Sequence, residues 1–229
     1  MSSPTATDPP SLSKEAPSIV KPFDLSLYLL THPVENLEEK VRLALAGGVT
    51  LVQYRDKIHD DEAFLVMGRR VGDIVRAAGV PFIVNDRIDL ALALDADGVH
   101  IGQEDTEAGR ARAMIGPDRI LGVTAGTAAE ALRAVAAGAD YLGVGDVFGT
   151  GTKKKETGPI GPEGLAGIVR AVSVPVVAIG GVTAENAPLA IRAGASGVSV
   201  ISAVLFQEDP RAAAKGLLEA VRAARRSGR

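Results

Sequence analysis

The stretch of sequence that decides the fold is residues 127–145, TAAEALRAVAAGADYLGVG. Its first part predicts a helix over Thr127–Ala137 that ends at Gly138, and its second part predicts a strand over Tyr141–Gly145. Similar pieces occur at 77–80 (Ala-Ala-Gly-Val) and 192–195 (Arg-Ala-Gly-Ala). We interpret each piece as the end of a helix that leads into a strand of a barrel.

The same unit repeats along the chain from Asp24 onward. We predict strands over Leu25–Thr31, Thr50–Tyr54, Phe82–Asn85, Gly98–Ile101, Ile120–Thr124, Tyr141–Gly145, Val176–Ile179 and Gly197–Ile201. We predict helices over Val34–Ala46, Asp60–Ala78, Ile88–Leu94, Thr106–Ile115, Thr127–Ala137, Pro162–Val172, Asn186–Ala193 and Pro210–Ala224.

This strict alternation predicts a parallel sheet, because a helix must carry the chain back between parallel strands. Eight strands and eight helices in a chain of 229 residues predict a closed (β/α)8 TIM barrel, class α/β, as a single domain over residues 24–226. A doubly wound open sheet is the alternative. It is weakened because no G-x-G-x-x-G follows the first strand.

Composition narrows the classes of function. Hydrophobic residues make up 46% of the chain, which is enough for a sizeable core. The net charge of −3 and the aromatic content of 3% argue against a nucleic-acid-binding protein. Cysteine is absent, which excludes disulfides and thiolate chemistry. Because we find neither a secretory signal pattern nor a run of membrane-spanning length, we expect a cytoplasmic protein without a membrane partner.

Residues 1–23 are rich in Pro, Ser and Thr, and we expect them to form a disordered extension.

In a TIM barrel, function lies at the C-terminal ends of the strands and in the loops that follow them. Those positions therefore supply the candidate site.

A basic loop follows the second strand as Gln53-Tyr54-Arg55-Asp56-Lys57. Alternation along the strand directs Gln53 and Arg55 to the same side. Arg55 and Lys57 would offer a planar fork and a point charge to phosphate oxygens. The alternative is an internal ion pair between Arg55 and Asp56 or a neighbouring carboxylate.

Two acids follow the next two strands, Asp86 after the third and Asp105 after the fourth. Because adjacent strands end side by side, the two carboxylates can converge and hold Mg²⁺, which prefers one or two carboxylates together with substrate phosphates. The alternative is that each acid caps the short helix that follows it. Both acids together beside a basic cluster favour the metal.

The later loops offer anion sites. Gly180-Gly181 follows the seventh strand and Ser202 follows the eighth, the two loops where this fold recurrently binds phosphate. The loop after the sixth strand, Gly149-Thr150-Gly151-Thr152-Lys153-Lys154-Lys155, combines flexible backbone, hydroxyls and positive charge, as a cover over an anion would. A solvated lysine run is its alternative.

After the fifth strand, Thr124 can reach the mouth and Thr127 is predicted to cap a helix. The three histidines are scattered, and we expect none of them to be catalytic.

Seven of these motifs occur in an order that closely resembles the thiamine-phosphate synthase family. They are Gln53-Tyr54-Arg55-Asp56-Lys57, Val84-Asn85-Asp86, Ile101-Gly102-Gln103-Glu104-Asp105, Gly122-Val123-Thr124, Thr150-Gly151-Thr152-Lys153, Ile179-Gly180-Gly181-Val182 and Val200-Ile201-Ser202. The resemblance runs from about Ser26 to the last helix. It implies a (β/α)8 barrel that joins an aminopyrimidinylmethyl diphosphate to a thiazole-ethyl phosphate and releases diphosphate, with one Mg²⁺ per subunit.

The resemblance also implies roles for individual residues. Asp86 and Asp105 would hold Mg²⁺, and Arg55, Lys57, Lys153 and Thr124 would act in the reaction. The pyrimidine diphosphate would be bound by Gln53, Tyr54, Arg55, Asp56, Lys57, Asn85 and Thr124, with Lys153 reaching its diphosphate. The thiazole phosphate would be bound by Thr150, Thr152, Gly180, Gly181, Ile201 and Ser202. A homo-oligomer is compatible with this reading.

The chain departs from the family pattern at three places. Thr124 stands where the family usually has serine, Gly126 where it has histidine, and Gly149 begins a loop that commonly starts with proline. A related thiazole tautomerase relies on a histidine near Gly126, so its absence argues against that alternative. A non-catalytic phosphate-binding barrel, the other alternative, would not need paired acids and a lysine lid.

We predict that Lys153→Ala lowers turnover at least tenfold, because the lysine would stabilise charge on the departing diphosphate; that is about 1.4 kcal/mol of barrier. Lys155→Ala is the matched control and should leave turnover near that of the wild type. Steady-state kinetics with both substrates measures this, and wild-type turnover in Lys153→Ala would exclude the lid role.

Overall fold

The structure is a computed structural model that describes residues 22–149 and 158–227. Eight parallel strands form one closed sheet, in which each strand pairs with its neighbours in the chain and the last pairs with the first. The predicted TIM barrel is therefore confirmed. Residues 1–21 of the predicted N-terminal extension lie outside the described residues.

The strands are short, and their bounds lie close to the predicted ones. They are β1 (Leu27–Leu30), β2 (Leu51–Tyr54), β3 (Phe82–Asn85), β4 (Gly98–Ile101), β5 (Ile120–Ala125), β6 (Tyr141–Val144), β7 (Val176–Ile179) and β8 (Gly197–Val200). The helices are α1 (Leu37–Ala46), α2 (Asp61–Ala77), α3 (Ile88–Ala93), α4 (Ala108–Ile115), α5 (Ala128–Ala136), α6 (Gly161–Ala171), α7 (Ala187–Arg192), α8 (Ser202–Leu205) and α9 (Pro210–Ser227).

The prediction of eight helices was wrong by one, because the described residues contain the additional helix α8. It is a single turn that follows β8 directly, and its Val204 and Leu205 are buried. A four-residue helix is too short to show helical periodicity. For that reason no helix was predicted directly after the strand that was expected to end at Ile201.

The glycines that were expected to end helices do so. Gly79, Gly138 and Gly194 have φ of 69°, 92° and 97°, in the left-handed region where glycine is favoured. The predicted cap at Thr127 is also confirmed, because its hydroxyl accepts a hydrogen bond from the Glu130 N–H at 3.2 Å.

Two apolar layers result from the alternation of side chains along the strands. The larger layer lies between the sheet and the helices; it includes Tyr54, whose ring packs 4.6 Å from that of Phe64. The smaller layer fills the barrel interior and consists of Leu25, Tyr28, Leu30, Leu51, Ile83, Ile120, Tyr141 and Val177. The interior is therefore a packed core, and the side chains above it form the floor of the mouth.

An arginine ties together the segments at the N-terminal ends of β5 and β6. Arg112 donates to the Asp140 carboxylate at 2.6 Å and to the carbonyls of Gly116, Arg119 and Gly138 at 2.8, 2.7 and 2.9 Å. Asp140 in turn accepts from the Leu121 N–H at 2.7 Å. Because these contacts lie at the end of the barrel away from the mouth, we assign them to stability.

Two glycines make room for the aromatic side chains inside the barrel. A Cβ at Gly122 on β5 would lie 2.1 Å from Cζ of Tyr141 and 2.5 Å from Nδ1 of His100. A Cβ at Gly143 on β6 would lie 3.0 Å from Cε1 of His100. The rings of His100 and Tyr141 pack 5.5 Å apart in the space that the missing side chains leave.

We predict that Gly122→Ala lowers the free energy of unfolding by about 1–3 kcal/mol or more, because the added methyl group overpacks the barrel interior. Gly216→Ala in α9 is the matched control: its Cβ meets no atom within 4 Å, so it should raise stability by about 0.5–1 kcal/mol. Urea denaturation compares them, and a Gly122→Ala variant as stable as the wild type would contradict the packing argument.

Candidate active site

The C-terminal ends of β2 to β5 carry most of the predicted site residues. Gln53 on β2 pairs in register with Ile83 on β3, and Asn85 at the end of β3 pairs with His100 on β4. His100 pairs in turn with Gly122, two residues before Thr124 on β5. These side chains therefore occur on consecutive strands around one side of the mouth.

The loop after β2 is held by its own polar contacts. Thr31, which is fully buried, accepts from the Arg55 N–H at 2.9 Å and donates to the Arg55 carbonyl at 3.2 Å. Partial burial lowers the pKa of the Arg55 guanidinium, and the nearby Asp56 charge acts in the opposite direction. The Arg55 backbone is thus held in place, and its guanidinium is a partly desolvated cation.

Asp56 is buried, and its carboxylate binds groups of the loop to which it belongs. Its carboxylate accepts from the N–H groups of Ile58 and His59 at 2.9 and 3.1 Å and contacts Nδ1 of His59 at 2.7 Å. Burial acts to raise the pKa of Asp56, but these hydrogen bonds outweigh it and lower the pKa. Within the described part of the chain, no ion pair joins Arg55 to Asp56, so that alternative reading of Arg55 is not what the structure contains.

The side chain of Tyr54 lies on the outer face of the sheet, which the helices cover, and not on the face that lines the barrel interior. Its ring is fully buried between the barrel and the helices, and it also stacks with Phe82 at 6.3 Å. The structure therefore does not bring the side chains of Tyr54 and Asp56 to the mouth. It does place Gln53 in the barrel interior, only 1% exposed, where Nε2 donates to the Tyr28 hydroxyl at 2.6 Å.

Neither predicted metal-binding acid caps a helix. Asp86 has a φ of 49° and precedes Arg87, the residue at the start of α3, which makes no side-chain cap. The start of α4 is capped by Glu107, which accepts from the N–H groups of Gly109 and Arg110. The capping alternative is therefore wrong for both acids.

The two acids instead contact groups at the mouth. The Asp86 carboxylate forms an ion pair with the Lys57 ammonium group, and its side chain is only 12% exposed. The Asp105 carboxylate accepts from the Gly102 N–H at 2.6 Å. Among the residues that the structure describes, no group of three or more acidic, histidine or cysteine side chains gathers as a ready-made metal cage.

A chain of hydrogen bonds that sequence reasoning missed crosses the barrel interior. The Tyr28 hydroxyl lies 2.7 Å from that of Tyr141, which lies 2.9 Å from Nδ1 of His100. Nε2 of His100 lies 2.9 Å from the Thr124 hydroxyl. Burial lowers the pKa of His100 to about 4, against a smaller opposing effect of Asp105, so the imidazole is neutral near pH 7.

The sequence contained a pattern that predicts this chain of hydrogen bonds. Tyr28, His100 and Tyr141 all fall at inward positions of their strands, and glycines flank His100 and Tyr141 across the sheet at positions 122 and 143. The expectation that none of the histidines acts directly on substrate is not tested by these contacts. Burial also raises the pKa of both Tyr28 and Tyr141, which keeps the two hydroxyls protonated.

The glycine pair after β7 allows close backbone packing. Gly180 and Gly181 have φ of 100° and 64°. A Cβ at Gly180 would lie 2.3 Å from Oδ1 of Asp146, and one at Gly181 would lie 2.0 Å from the Gly149 carbonyl oxygen. The segment after β6 thus rests on this loop, and the Phe148 N–H donates to the Gly180 carbonyl at 3.0 Å.

The remaining predicted residues divide into two sets. Ile201 and Ser202 stand at the junction of β8 and α8, beside the mouth. Thr150, Thr152 and Lys153 lie outside the described residues, so their predicted roles are not examined by the structure.

Comparison with known proteins assigns the family. A sequence model described as thiamine monophosphate synthase matches residues 27–204. The chain belongs to the thiamine monophosphate synthase family. It is 54% identical over 187 residues to the thiamine-phosphate synthase of Moorella thermoacetica, covering 82% of this chain and 89% of that protein. It is 50% identical over 200 residues to that of Desulfitobacterium hafniense, covering 86% and 97%.

A solved structure of the same family agrees with the fold. The thiamine phosphate pyrophosphorylase from Pyrococcus furiosus superposes with a TM-score of 0.80 at 40% identity, over 87% of this chain and 96% of that one. The resemblance read from the motifs is confirmed at the level of the family. The roles of individual site residues in this synthase-family chain stay predictions.

We predict that Asp56→Ala lowers the free energy of unfolding by about 1–3 kcal/mol, because two loop N–H groups lose their acceptor. Asp56→Asn, which keeps one carbonyl oxygen, should lose less. The deficit should shrink as pH falls: the pKa of Asp56 is lowered in the folded protein, so its contribution is present above the pKa of the unfolded state and is lost as pH falls through the folded one. Chemical denaturation at pH 7 and at low pH measures this, and a deficit independent of pH would contradict it.

Proposed function

We propose that this protein is a thiamine-phosphate synthase, which joins 4-amino-2-methyl-5-(diphosphomethyl)pyrimidine to 4-methyl-5-(2-phosphoethyl)thiazole, giving thiamine phosphate and diphosphate. The observation that carries the proposal is the contact of Lys57 with Asp86 at the ends of β2 and β3, in the loop whose backbone is held at Arg55. Paired cations beside a carboxylate suit a metal-bound diphosphate, whereas a site for a neutral ligand would have no use for them.

The donor set fits Mg²⁺. Asp86 and Asp105 supply two carboxylates on neighbouring strand ends, and Mg²⁺ commonly takes one or two carboxylates and completes its shell with water and substrate phosphates. When bound, Mg²⁺ would neutralise negative charge on the diphosphate. The Lys57 ammonium group lies beside Asp86 as a further positive charge.

The side chains at the mouth would promote loss of diphosphate by electrostatics. Arg55 and Lys57 would donate hydrogen bonds to the diphosphate oxygens and stabilise the charge that builds on them as the C–O bond breaks. The partial burial of Arg55 strengthens this, because solvent screens a buried charge less. By resemblance, Lys153 would add a third cation to the same leaving group.

The second substrate would be held by its phosphate. Gly180, Gly181, Ile201 and Ser202 lie in the two loops where TIM barrels recurrently bind phosphate, and Thr150 and Thr152 would join them by resemblance. Anchoring the thiazole by its phosphate would bring its ring nitrogen to the pyrimidine carbon, so proximity would supply part of the rate enhancement. The reaction needs no strong base, which agrees with the lowered pKa of His100, because an imidazole with a pKa of about 4 is a weak base.

Two other functions are less well supported. The tautomerase reading requires a histidine near position 126, where this chain has glycine, whose N–H donates to Glu130 at 2.7 Å. A non-catalytic phosphate-binding barrel leaves Lys57 and the two acids without a purpose.

No helix among the described residues is long and apolar enough to cross a membrane. We propose a cytoplasmic enzyme, and an assembly of identical subunits is compatible with the reaction.

Incubating the purified protein with both substrates and Mg²⁺ should yield thiamine phosphate and diphosphate, and chromatography detects both. Tautomerisation of the thiazole alone would support the paralogue instead. Binding of a phosphate without turnover would support the sensor.

We predict that Asp86→Asn raises the Mg²⁺ concentration needed for half-maximal activity at least tenfold, because one of two carboxylate ligands loses its charge. Asp89→Asn removes the same charge from an exposed position in the first turn of α3 and is the matched control. A Mg²⁺ titration of initial rates measures both. Full activity of the wild type after EDTA treatment would remove Asp86 and Asp105 as metal ligands.

A further inference from the structure

The hydrogen-bond chain inside the barrel joins two residues assigned to the pyrimidine. Gln53 stands at one end and Thr124 at the other, and Tyr28, Tyr141 and His100 connect them through four contacts of 2.6–2.9 Å. All three connecting side chains are 9% exposed or less. Solvent therefore does not supply hydrogen bonds to them, and the members of the chain must satisfy one another.

The number of protons fixes the direction of the chain. Each tyrosine hydroxyl has one hydrogen to donate, and a neutral imidazole has one N–H. Because Gln53 donates to Tyr28, the Tyr28 hydrogen must go to Tyr141, and the Tyr141 hydrogen must go to Nδ1 of His100. The imidazole then carries its hydrogen on Nε2 and donates it to the Thr124 hydroxyl. With Gln53 as the donor to Tyr28, any other arrangement leaves a buried tyrosine hydrogen without an acceptor, which is unfavourable.

The two ends consequently present opposite hydrogen-bonding groups. Nε2 of Gln53 is engaged with Tyr28, while its Oε1 is buried with no protein partner among the described residues, so it is a ready acceptor. Thr124 accepts from His100, so its own hydrogen is left to donate. Reversing the Gln53 amide would leave both of its N–H donors without an acceptor among the described residues, whereas the present orientation leaves one N–H and one carbonyl oxygen. An unpaired buried N–H is the less favourable of the two.

We propose that Tyr28, Tyr141 and His100 are positioning residues that fix Gln53 as an acceptor and Thr124 as a donor toward the pyrimidine ring. This inference rests on the proposed function. An aminopyrimidine offers the matching groups: its exocyclic amine donates to Oε1 of Gln53, and a ring nitrogen accepts from the Thr124 hydroxyl. An oxopyrimidine places an acceptor where the amine was. Binding it would require Gln53 to reverse, and with it every link of the chain. Thr124 would then be an acceptor facing the ring nitrogen that carries no hydrogen in the oxo compound, which is a mismatch.

The first test reads the tautomer directly. His32→Gln with His59→Gln leaves His100 as the one remaining histidine of the three. In protein labelled with ¹⁵N-histidine, correlation spectra should show the hydrogen on Nε2 and a hydrogen-bonded acceptor at Nδ1. The opposite tautomer would overturn the proposal, whether or not the enzyme is active.

The second test reads substrate discrimination. The ratio of kcat/KM for the 4-amino and 4-oxo pyrimidine diphosphates is measured in the wild type and in Tyr141→Phe, which removes one hydroxyl from the middle of the chain. The ratio should fall at least tenfold in Tyr141→Phe, because Gln53 can then reverse without Thr124. The intrinsic reactivity of the two compounds is the same for both enzymes and cancels, and KM for the thiazole phosphate should stay unchanged.

The controls separate this role from a structural one. Thr50→Val removes a hydroxyl that bonds only to the backbone of Leu27, so it should cost stability while leaving the discrimination ratio unchanged. If folded Tyr141→Phe has the same kcat/KM ratio as the wild type, the proposal is contradicted. Tyr28→Phe, which breaks the chain one link earlier, should give the same fall and replaces Tyr141→Phe if that variant does not fold; if neither folds, the tautomer decides. Absence of any thiamine phosphate from the wild type would refute the proposed function, and the tautomer would still be read.

Discussion

The cost of burying an unpaired polar group is the constraint on which the centre of this barrel depends. Tyr28, His100 and Tyr141 occupy an interior that solvent does not reach, and each finds a partner on another strand. That pairing requires the strands to stand in one register, since a shift of one residue would turn every inward side chain outward. It also requires glycine at 122, because a side chain there would occupy the space of the rings, and it leaves little room for a side chain at 143.

The mouth obeys a different rule, because its charges meet solvent and substrate. Lys57 and Asp86 pair across the ends of β2 and β3, while Thr31 and Asp56 fix the backbone of the loop between them. The backbone of the loop that carries Arg55 and Lys57 is thus held by two residues whose own side chains do not reach the mouth. In the proposed function, the hydrogen-bond chain in the barrel interior would recognise the pyrimidine ring, and the charges at the mouth would recognise the leaving diphosphate.

Much of this could be read in the sequence. The alternation of short apolar and longer amphipathic runs predicted the barrel, and the glycines after α2, α5 and α7 marked the turns into the strands. The ordered motifs indicated the family. Helix α8 was not predicted, because one helical turn carries no periodicity. The helix-capping alternative for Asp86 and Asp105 was wrong, because α4 is capped by Glu107 and α3 has no side-chain cap.

The sequence by itself determined the fold class, the family and the chemical types that gather at the strand ends, because these depend on local pattern and on residue identity along the chain. Only the tertiary structure decided which side chains meet. Tyr54 follows Gln53 directly, yet the two lie on opposite sides of the sheet. Tyr28 and Tyr141 are separated by 113 positions and share a hydrogen bond. The physical reason is closure of the sheet: inward residues of all eight strands converge on one axis, whatever their distance along the chain.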